Sequence, residues 1–204
     1  MYNFFKRLLD FLSSILLLTV ISPLFLILII ISSFVIGFPV FFVQERSGKN
    51  MKRIKVLKFR TMTNAKDSEG NLLPDEKRIT KYGKFLRSTS LDELPQLLNI
   101  IAGNMSVIGP RPLPPEYDNY YSEIEKYRFK VRPGLIQPEV LHNKALPTWD
   151  EQLLWESEYA NNLCFKTDIK IFFKVFKILF KRTKEDYGGI VRKSLIEERG
   201  EKLW

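Results

Sequence analysis

The stretch FLSSILLLTVISPLFLILIIISSFVIGFPVFFV, residues 11–43, decides the architecture of this chain, because it holds 33 consecutive residues without a charge. About 20 apolar residues are enough to cross a bilayer as a helix. A cleaved signal peptide has a shorter apolar core that a small-residue cleavage site follows, and this stretch has neither feature. The stretch therefore predicts a membrane segment.

Two paths through the membrane fit this segment. One is a single span with a proline kink, and the other is a re-entrant hairpin that enters and leaves on the same face. Ser22-Pro23 interrupts the run, and proline removes a backbone donor and bends or breaks a helix. Basic residues flank the run on both sides, with Lys6 and Arg7 before it and Arg46 soon after it. Because positive charge stays on the cytoplasmic side, the two basic flanks favour the hairpin.

Composition narrows the classes of partner. The chain has 204 residues, a formal net charge of +9 and 45% hydrophobic residues, which suits one domain with an accessory element. A basic chain favours an anionic partner, and beside a membrane segment the candidates are anionic lipid and a phosphorylated substrate. Nucleic acid is not an expected partner, because no binding motif accompanies the charge. The single Cys164 and the single His142 exclude a disulfide and a multi-histidine zinc site.

We expect a mainly α-helical fold with a minor β element, in which a small globular domain with interfacial amphipathic helices accompanies the membrane segment. Residues 54–62, IKVLKFRTM, are rich in β-branched and aromatic residues, which indicates a short strand or extended segment. The proline-dense residues 109–115 must form a rigid loop. Apolar periodicity predicts helices at 76–87, 91–101, 117–128 and 168–182. A further helix is predicted to begin at Thr148, with Glu151 in a capping box.

The last of these helices, DIKIFFKVFKILFKR, is amphipathic, with a stripe of lysines on one face and aromatic residues on the other. Such a helix suits the plane of an anionic membrane. An ordinary surface helix that packs its aromatic residues on the core has the same pattern, and both interpretations can hold together. The predicted organisation is an anchor at 1–43, a catalytic domain at 44–187 and a charged tail at 188–204.

Ser90-Leu91-Asp92-Glu93 has two interpretations. S-x-x-E before an apolar run is a capping box, in which Ser90 and Glu93 satisfy backbone groups at the start of a helix. The same helix start would hold a phosphate, and Asp92 would attack phosphorus to form an acyl phosphate. Mg²⁺ would then bridge carboxylate and phosphate, with Glu93 as an oxygen ligand. The candidates for the cations that phosphoryl transfer needs are Lys58, Arg60, Arg87 and Arg111.

Two longer stretches are far more specific. LKFRTM at 57–62 precedes TKYGKFLRSTSLDELPQLLNIIAGNMSVIGPRP at 80–112, and the order and spacing of K-F-R-T-M, S-L-D-E-L-P-Q-L and G-P-R-P are distinctive. The chain resembles the bacterial sugar transferase family, in particular its small monotopic polyprenol-phosphate phosphoglycosyl transferases. The apolar N-terminus with its internal Ser-Pro matches as well. The resemblance runs from about residue 1 to Gly134 and returns more weakly around Asp168.

The resemblance implies a reaction and a location. Asp92 would attack the β-phosphate of a UDP-sugar, release UMP and hold the phosphosugar as an acyl phosphate. Polyprenyl (undecaprenyl) phosphate would then accept the phosphosugar, which is the first membrane step of glycoconjugate biosynthesis. The implied anchor is a re-entrant helix-break-helix with its break at Ser22-Pro23. The active site would lie on the cytoplasmic face of the bacterial inner (plasma) membrane, with the phospholipid bilayer and downstream glycosyltransferases as further partners.

The resemblance also implies roles for individual residues. Asp92 and Glu93 are the catalytic pair and the implied Mg²⁺ ligands. Lys58 and Arg87 match family cations that would contact phosphates, and Pro110-Arg111-Pro112 matches a motif near the nucleotide. Asp168 matches a late acidic position, for which we expect a structural role or indirect support of the site.

The chain departs from the family after Arg132-Pro133-Gly134, where Leu135-Ile136-Gln137-Pro138-Glu139 replaces a T-G-L-A-Q-like run. A second departure is Glu156, at a position where an aspartate is usual. This loop would contribute to the fit of the sugar or the acceptor, so the sugar is not predicted. The pathway and the oligomeric state are not predicted either. The alternatives are an inactive scaffold of the same fold, a peripheral protein that only binds anionic lipid, and a transferase that moves a sugar without its phosphate and releases UDP.

Overall fold

The computed structural model describes residues 2–144, 146–181 and 192–200, without the side chains of 179–181. Its α-helices are α1 (Tyr2–Val35), α2 (Asp75–Arg78), α3 (Lys81–Ser88), α4 (Gln96–Ile101), α5 (Trp149–Asn161), α6 (Phe165–Lys181) and α7 (Leu195–Gly200). Its strands are β1 (Phe41–Ser47), β2 (Arg53–Phe59), β3 (Ser106–Ile108) and β4 (Gly134–Ile136). The prediction of a mainly α-helical chain with a minor β element is confirmed.

α1 is one continuous helix of 34 residues, and Pro23 lies inside it. Proline leaves the carbonyl group four residues earlier, that of Thr19, without its backbone donor. The Ser22 hydroxyl donates to this carbonyl oxygen at 2.8 Å and replaces the lost hydrogen bond. The sequence analysis expected a break at Ser22-Pro23, but the helix continues through these residues. The re-entrant path of the segment stays a prediction.

One stripe of α1 packs along the rest of the protein, while its other faces are exposed and apolar. By length and composition, α1 is the one helix within the described ranges that is able to cross a membrane. The stripe recurs every three or four residues, as one face of a helix does. Its buried or half-buried members are Lys6, Asp10, Ser14, Leu18, Ile21, Phe25, Leu28, Ile29 and Ser32.

Polar contacts fix the first turns of α1. Lys6 Nζ forms a buried ion pair with Asp168 of α6 at 2.7 Å. Asp10 accepts a hydrogen bond from the Ser106 hydroxyl at 2.7 Å. Arg7 donates to two carbonyl oxygens at the C-terminal end of α4, at 2.7 and 2.8 Å, where cations are favoured by the helix dipole.

The other end of α1 contacts the same domain. Ser32 Oγ lies 3.0 Å from the Tyr82 hydroxyl of α3. Just beyond the helix, Arg60 Nη2 donates to the carbonyl oxygen of Ile36 at 2.5 Å. Both ends of the apolar helix are therefore attached to one globular unit.

Two small sheets build the site. β1 and β2 pair antiparallel, with Phe41 opposite Phe59 and Ser47 opposite Arg53, and β2 overlaps the predicted extended segment over residues 54–59. β1 begins at Phe41 and so crosses the predicted boundary between anchor and catalytic domain at residue 43. β3 and β4 pair parallel.

Several helices differ from their predicted bounds. The predicted helix at 91–101 begins only at Gln96, as α4, and the last one begins earlier than predicted, at Phe165. The predicted helix at 76–87 is divided into α2 and α3, because Thr80 caps α3 by accepting from the Gly83 N–H at 2.8 Å. The predicted helix at 117–128 is instead two 3₁₀ turns, Pro115–Tyr120 and Glu125–Lys130. The capping box of Thr148 and Glu151 at the start of α5 is confirmed.

α6 turns its aromatic residues outward. Ile171 and Asp168 face the domain and are buried, whereas Phe172 and Phe173 are exposed. The interpretation in which these aromatic residues pack on the core is therefore wrong for the side chains that the structure describes. Arg182 and Gly188-Gly189, which the sequence analysis also used, lie outside the described residues. Within the predicted tail, α7 packs on the domain, and its Leu195 is fully buried.

Candidate active site

Asp92 lies in a tight turn between α3 and α4. Ser90 has a positive φ of 58°, and Leu91–Glu93 form a single 3₁₀ turn before α4 begins at Gln96. In this conformation the Ser90 side chain caps no backbone group that the structure describes, so the capping-box interpretation is wrong. The turn leaves the Asp92 carboxylate 9% exposed, and it forms no ion pair within the described part of the chain.

The surroundings of Asp92 change the pKa of its carboxyl group in opposite directions. Burial raises the pKa of the Asp92 carboxyl, and the neighbouring Glu93 carboxylate raises the pKa further. The positive charges of Lys58 and Arg87 lower it. Arg87 is held in place by a hydrogen bond from its Nε to Thr61 Oγ1 at 3.1 Å. A buried carboxyl group with a raised pKa and cations nearby is typical of functional sites.

An open cleft of about 160 Å³ lies beside this turn. Lys58, Glu93, Arg111 and Pro112 line it, so the structure brings these four predicted residues together. Its wall also contains residues that the sequence analysis did not assign to the site, namely Arg46, Val56, Gln96, Leu113, Pro114, Tyr117, Gln137 and Trp149. Arg46, Lys58 and Arg111 make the cleft basic, which suits a phosphorylated ligand.

A buried ion pair fixes the backbone of Arg111. Arg128 and Glu156 pair at 2.6 Å and are both almost completely buried. Glu156 Oε1 accepts from the Arg111 N–H at 2.9 Å, and Arg128 Nη2 donates to the Arg111 carbonyl oxygen at 2.5 Å. The backbone of Arg111 is therefore held from both sides, while its side chain is free to point into the cleft.

The proline-rich loop at residues 109–115 also packs closely against Gly134, which follows Arg132-Pro133. Gly134 N donates to the Pro110 carbonyl oxygen at 2.9 Å. A Cβ atom on Gly134 would lie 2.1 Å from the Gly109 nitrogen, and one on Gly109 would lie 2.4 Å from the Arg132 carbonyl oxygen. Two glycines are required at this contact, which explains why G-P-R-P and R-P-G occur together.

The family model described as bacterial sugar transferase matches residues 1–182. The chain belongs to this family. The protein named "Uncharacterized sugar transferase EpsL" of Bacillus subtilis (strain 168) is 42% identical over 166 residues, which cover 81% of this chain and 82% of that protein. The "Exopolysaccharide production protein ExoY" of Sinorhizobium fredii (strain NBRC 101917 / NGR234) is 34% identical, with 83% and 82% covered.

A longer relative has a more explicit name. The "UDP-glucose:undecaprenyl-phosphate glucose-1-phosphate transferase" of Klebsiella pneumoniae is 39% identical over 185 residues. These cover 85% of this sugar transferase but only 40% of the longer protein. All residues that line the cleft, from Arg46 to Trp149, lie within the residues 1–182 that the family model matches.

Four of the predicted site residues are not among those that line the cleft in this sugar transferase, namely Arg87, Asp92, Pro110 and Asp168. Asp92 precedes the cleft-lining Glu93 in the chain. Asp168 accepts hydrogen bonds from Tyr2, Lys6 and Tyr159, so it joins α1, α5 and α6. Pro110 lies on the far side of its loop, beside Ser47 and Arg128. Arg87 is not among the cleft-lining residues and reaches the site through its charge on Asp92.

Glu139 is the unusual group on the loop where the sugar transferase departs from its family. Burial raises the pKa of its carboxyl to about 8, and the negative charge of Glu156 raises it as well. Its Oε2 is buried without a hydrogen-bond partner among the described residues. The positive charges of Arg111 and Arg128 lower the pKa of this carboxyl but do not offset its burial, so the group is mostly neutral near pH 7.

Proposed function

We propose that this sugar transferase moves a sugar phosphate from a UDP-sugar to polyprenyl (undecaprenyl) phosphate and releases UMP. The observation that carries the proposal is Asp92, a buried residue next in the chain to Glu93 of the basic cleft, whose carboxylate forms no ion pair with the described residues and is under the influence of the positive charges of Lys58 and Arg87. The names of relatives from Klebsiella pneumoniae, Aeromonas hydrophila and Salmonella typhimurium, all of them undecaprenyl-phosphate transferases, support the substrate classes.

In the first half-reaction, a carboxylate oxygen of Asp92 attacks the β-phosphorus of the donor. The bond between that phosphorus and the bridging oxygen breaks, and UMP leaves with the oxygen and the electron pair. Lys58 and Arg111 would neutralise the charge that accumulates on the phosphate oxygens. The raised pKa of Asp92 makes its carboxylate more basic, while the positive charges of Lys58 and Arg87 favour its ionised form.

In the second half-reaction, a phosphate oxygen of the polyprenyl phosphate attacks the same phosphorus. The bond to Asp92 breaks, the carboxylate is regenerated, and the product is a sugar linked to the lipid through a diphosphate. An acyl phosphate retains enough transfer potential to link the two steps.

Magnesium fits this site only together with its substrate. Within the described residues there is no group of three or more histidine, cysteine or acidic side chains that would hold a metal alone. Mg²⁺ is commonly bound by one or two carboxylates and the phosphates of a substrate, and Asp92 with Glu93 provides such a pair. The ion would supply charge neutralisation on the diphosphate.

We further propose that α1 is a re-entrant anchor on the cytoplasmic face of the bacterial inner membrane. A helix that crosses the bilayer separates its ends by about 30 Å of hydrocarbon. Here both ends contact the same domain, through Lys6 and Arg7 at one end and Ser32 at the other. The exposed aromatic residues of α6, such as Phe173, would lie in the interface with the phospholipid.

The product of this step is a lipid-linked sugar phosphate, which a downstream glycosyltransferase must extend. The exopolysaccharide role named for two rhizobial relatives agrees with a first membrane step of glycoconjugate biosynthesis.

The test is UMP release by the purified protein in nanodiscs, with Mg²⁺, undecaprenyl phosphate and a panel of UDP-sugars. We expect UMP from the wild type with some donors and none from Asp92→Asn. Asp75→Asn, which changes an exposed carboxylate of α2, is the matched control and should be active. Release of UDP would overturn the reaction type. No release from any donor, while a close relative is active in the same assay, would support the inactive scaffold instead.

A further inference from the structure

The C-terminal segment 192–200 lies beyond the family match, which ends at residue 182. Leu195 of this segment is fully buried in a hydrophobic cluster with Leu113 and Trp149, and Tyr117 packs against the same cluster. Leu113, Tyr117 and Trp149 all line the cleft beside Asp92. The segment therefore forms the layer behind one wall of the cleft.

Specific polar contacts hold the segment at this place. Arg199 donates to both carboxylate oxygens of Glu125, at 2.7 and 2.6 Å, and to the carbonyl oxygen of Tyr120 at 2.6 Å. A two-point contact between a guanidinium and a carboxylate fixes orientation as well as distance.

Trp149 is held by the beginning of the segment. The guanidinium of Arg192 stacks over the indole ring, with its carbon 3.7 Å from the ring centroid. The indole N–H donates to the carbonyl oxygen of Lys193 at 3.0 Å. Arg192 also donates to the Gln152 side chain at 2.9 Å. The stack and the hydrogen bond together set the orientation of the ring.

The lining of the cleft combines two kinds of residue. Its charged residues are Arg46, Lys58, Glu93 and Arg111, and its apolar residues include Pro112, Leu113, Pro114, Tyr117 and Trp149. A donor that binds its diphosphate to the cations has its rings left to contact the apolar residues. Flat aromatic and proline surfaces pack well against such rings.

We propose that the segment 192–200 positions the apolar wall of the cleft to receive a ring of the UDP-sugar donor, with Arg192 as the main positioning residue. The inference rests on the proposed function and adds to it an element that the family match does not include. The ring is either the uracil or the sugar, and the two are distinguished by experiment.

The experiment compares Arg192→Ala with Lys193→Ala in the full chain. Lys193 is an exposed cation whose backbone carbonyl, not its side chain, contacts Trp149, so its replacement is the matched control. The measurements are UMP affinity by calorimetry, and kcat and KM for several UDP-sugars. Loss of the stacked cation is expected to cost about 10-fold in binding, with kcat nearly unchanged, and Arg192→Lys should recover part of the loss.

The pattern of the loss identifies the ring. If the wall receives uracil, Arg192→Ala weakens UMP binding and raises KM equally for every donor. If the wall receives the sugar, UMP binding is unchanged and kcat/KM falls unequally among donors. If Arg192→Ala equals the wild type in both measurements, or lowers only kcat, the inference is wrong. A wild type that neither binds UMP nor releases it would instead overturn the proposed function, and this inference with it.

Discussion

Lys58 Nζ lies 2.5 Å from Glu93 Oε1, and the two side chains are only 27% and 28% exposed. The pair joins β2 to the turn that carries Asp92, so the same cation that neutralises Glu93 also lowers the pKa of Asp92. Lys58 therefore acts on both acidic residues of the proposed catalytic pair.

We predict that Lys58→Met lowers kcat/KM by at least about 10-fold, because it removes a charge that stabilises the transferring phosphate. It should also move the acidic limb of the pH profile to higher pH. Without the cation, the pKa of Asp92 rises, and a larger fraction of the nucleophile is protonated at a given pH. The deficit should therefore be greater at pH 6 than at pH 8.

The control for this substitution is Lys55→Met, on the exposed side of the same strand. It removes the same charge from the protein without changing the surroundings of Asp92. Equal pH profiles for Lys58→Met and the wild type would contradict the assigned coupling.

The motifs predicted three of the charged residues that line the cleft, Lys58, Glu93 and Arg111, because the motifs lie on adjacent short elements. Lys58 belongs to K-F-R-T-M and Glu93 to S-L-D-E-L, and the two side chains meet where β2 contacts the turn. The left-handed conformation of Ser90 was not predictable from S-x-x-E, because the capping motif and the tight turn use the same residue types.

Apart from Pro112, the apolar residues that line the cleft were not predicted, for a different reason. Trp149 and Arg192 are separated by 43 positions, and no local pattern links a tryptophan at the start of one helix to an arginine beyond the next. The support of Arg111 by Arg128 and Glu156 likewise depends on packing of distant segments. The charge of the C-terminal segment suggested a solvated tail, whereas Leu195 and Arg199 attach it to the domain.

Asp168→Asn is expected to destabilise the fold without changing the chemistry. The substitution leaves Lys6 buried without its partner, and loss of one member of a buried pair costs about 3 kcal/mol. The measurement is the midpoint of thermal unfolding in detergent, together with KM for the donor. Glu123→Gln, which breaks an exposed pair with Lys126, should have little effect on either quantity. A normal midpoint with lost activity would assign Asp168 to the reaction instead.

Glu139→Gln is expected to stabilise the protein at high pH. The pKa of Glu139 is about 8 in the folded protein, against an ordinary value of 4.5, so the folded state retains a proton that the unfolded state releases. The free energy of unfolding therefore decreases as pH rises from about 4.5 to 8. Glutamine removes this loss, which we expect to be on the order of 4 kcal/mol at pH 8 and close to zero at pH 4.5.

The measurement is chemical unfolding of Glu139→Gln at both pH values, with the exposed Glu158→Gln as the control. A stability difference from the wild type that is the same at both pH values would contradict the raised pKa. The same variant should be assayed with several donors, because Glu139 lies on the loop that departs from the family.

The re-entrant path makes a prediction about the first residues of α1. Asn3 is exposed and lies at the end of the helix that Lys6, Arg7 and Asp10 attach to the domain. If both ends are cytoplasmic, Asn3→Cys, in a Cys164→Ser background, should react with a membrane-impermeant maleimide in inverted vesicles but not in intact spheroplasts. Lys49→Cys, in an exposed turn of the domain, should behave identically. Labelling of Asn3→Cys in intact spheroplasts, with Lys49→Cys protected, would mean that α1 crosses the membrane and that its contacts with the domain do not form there.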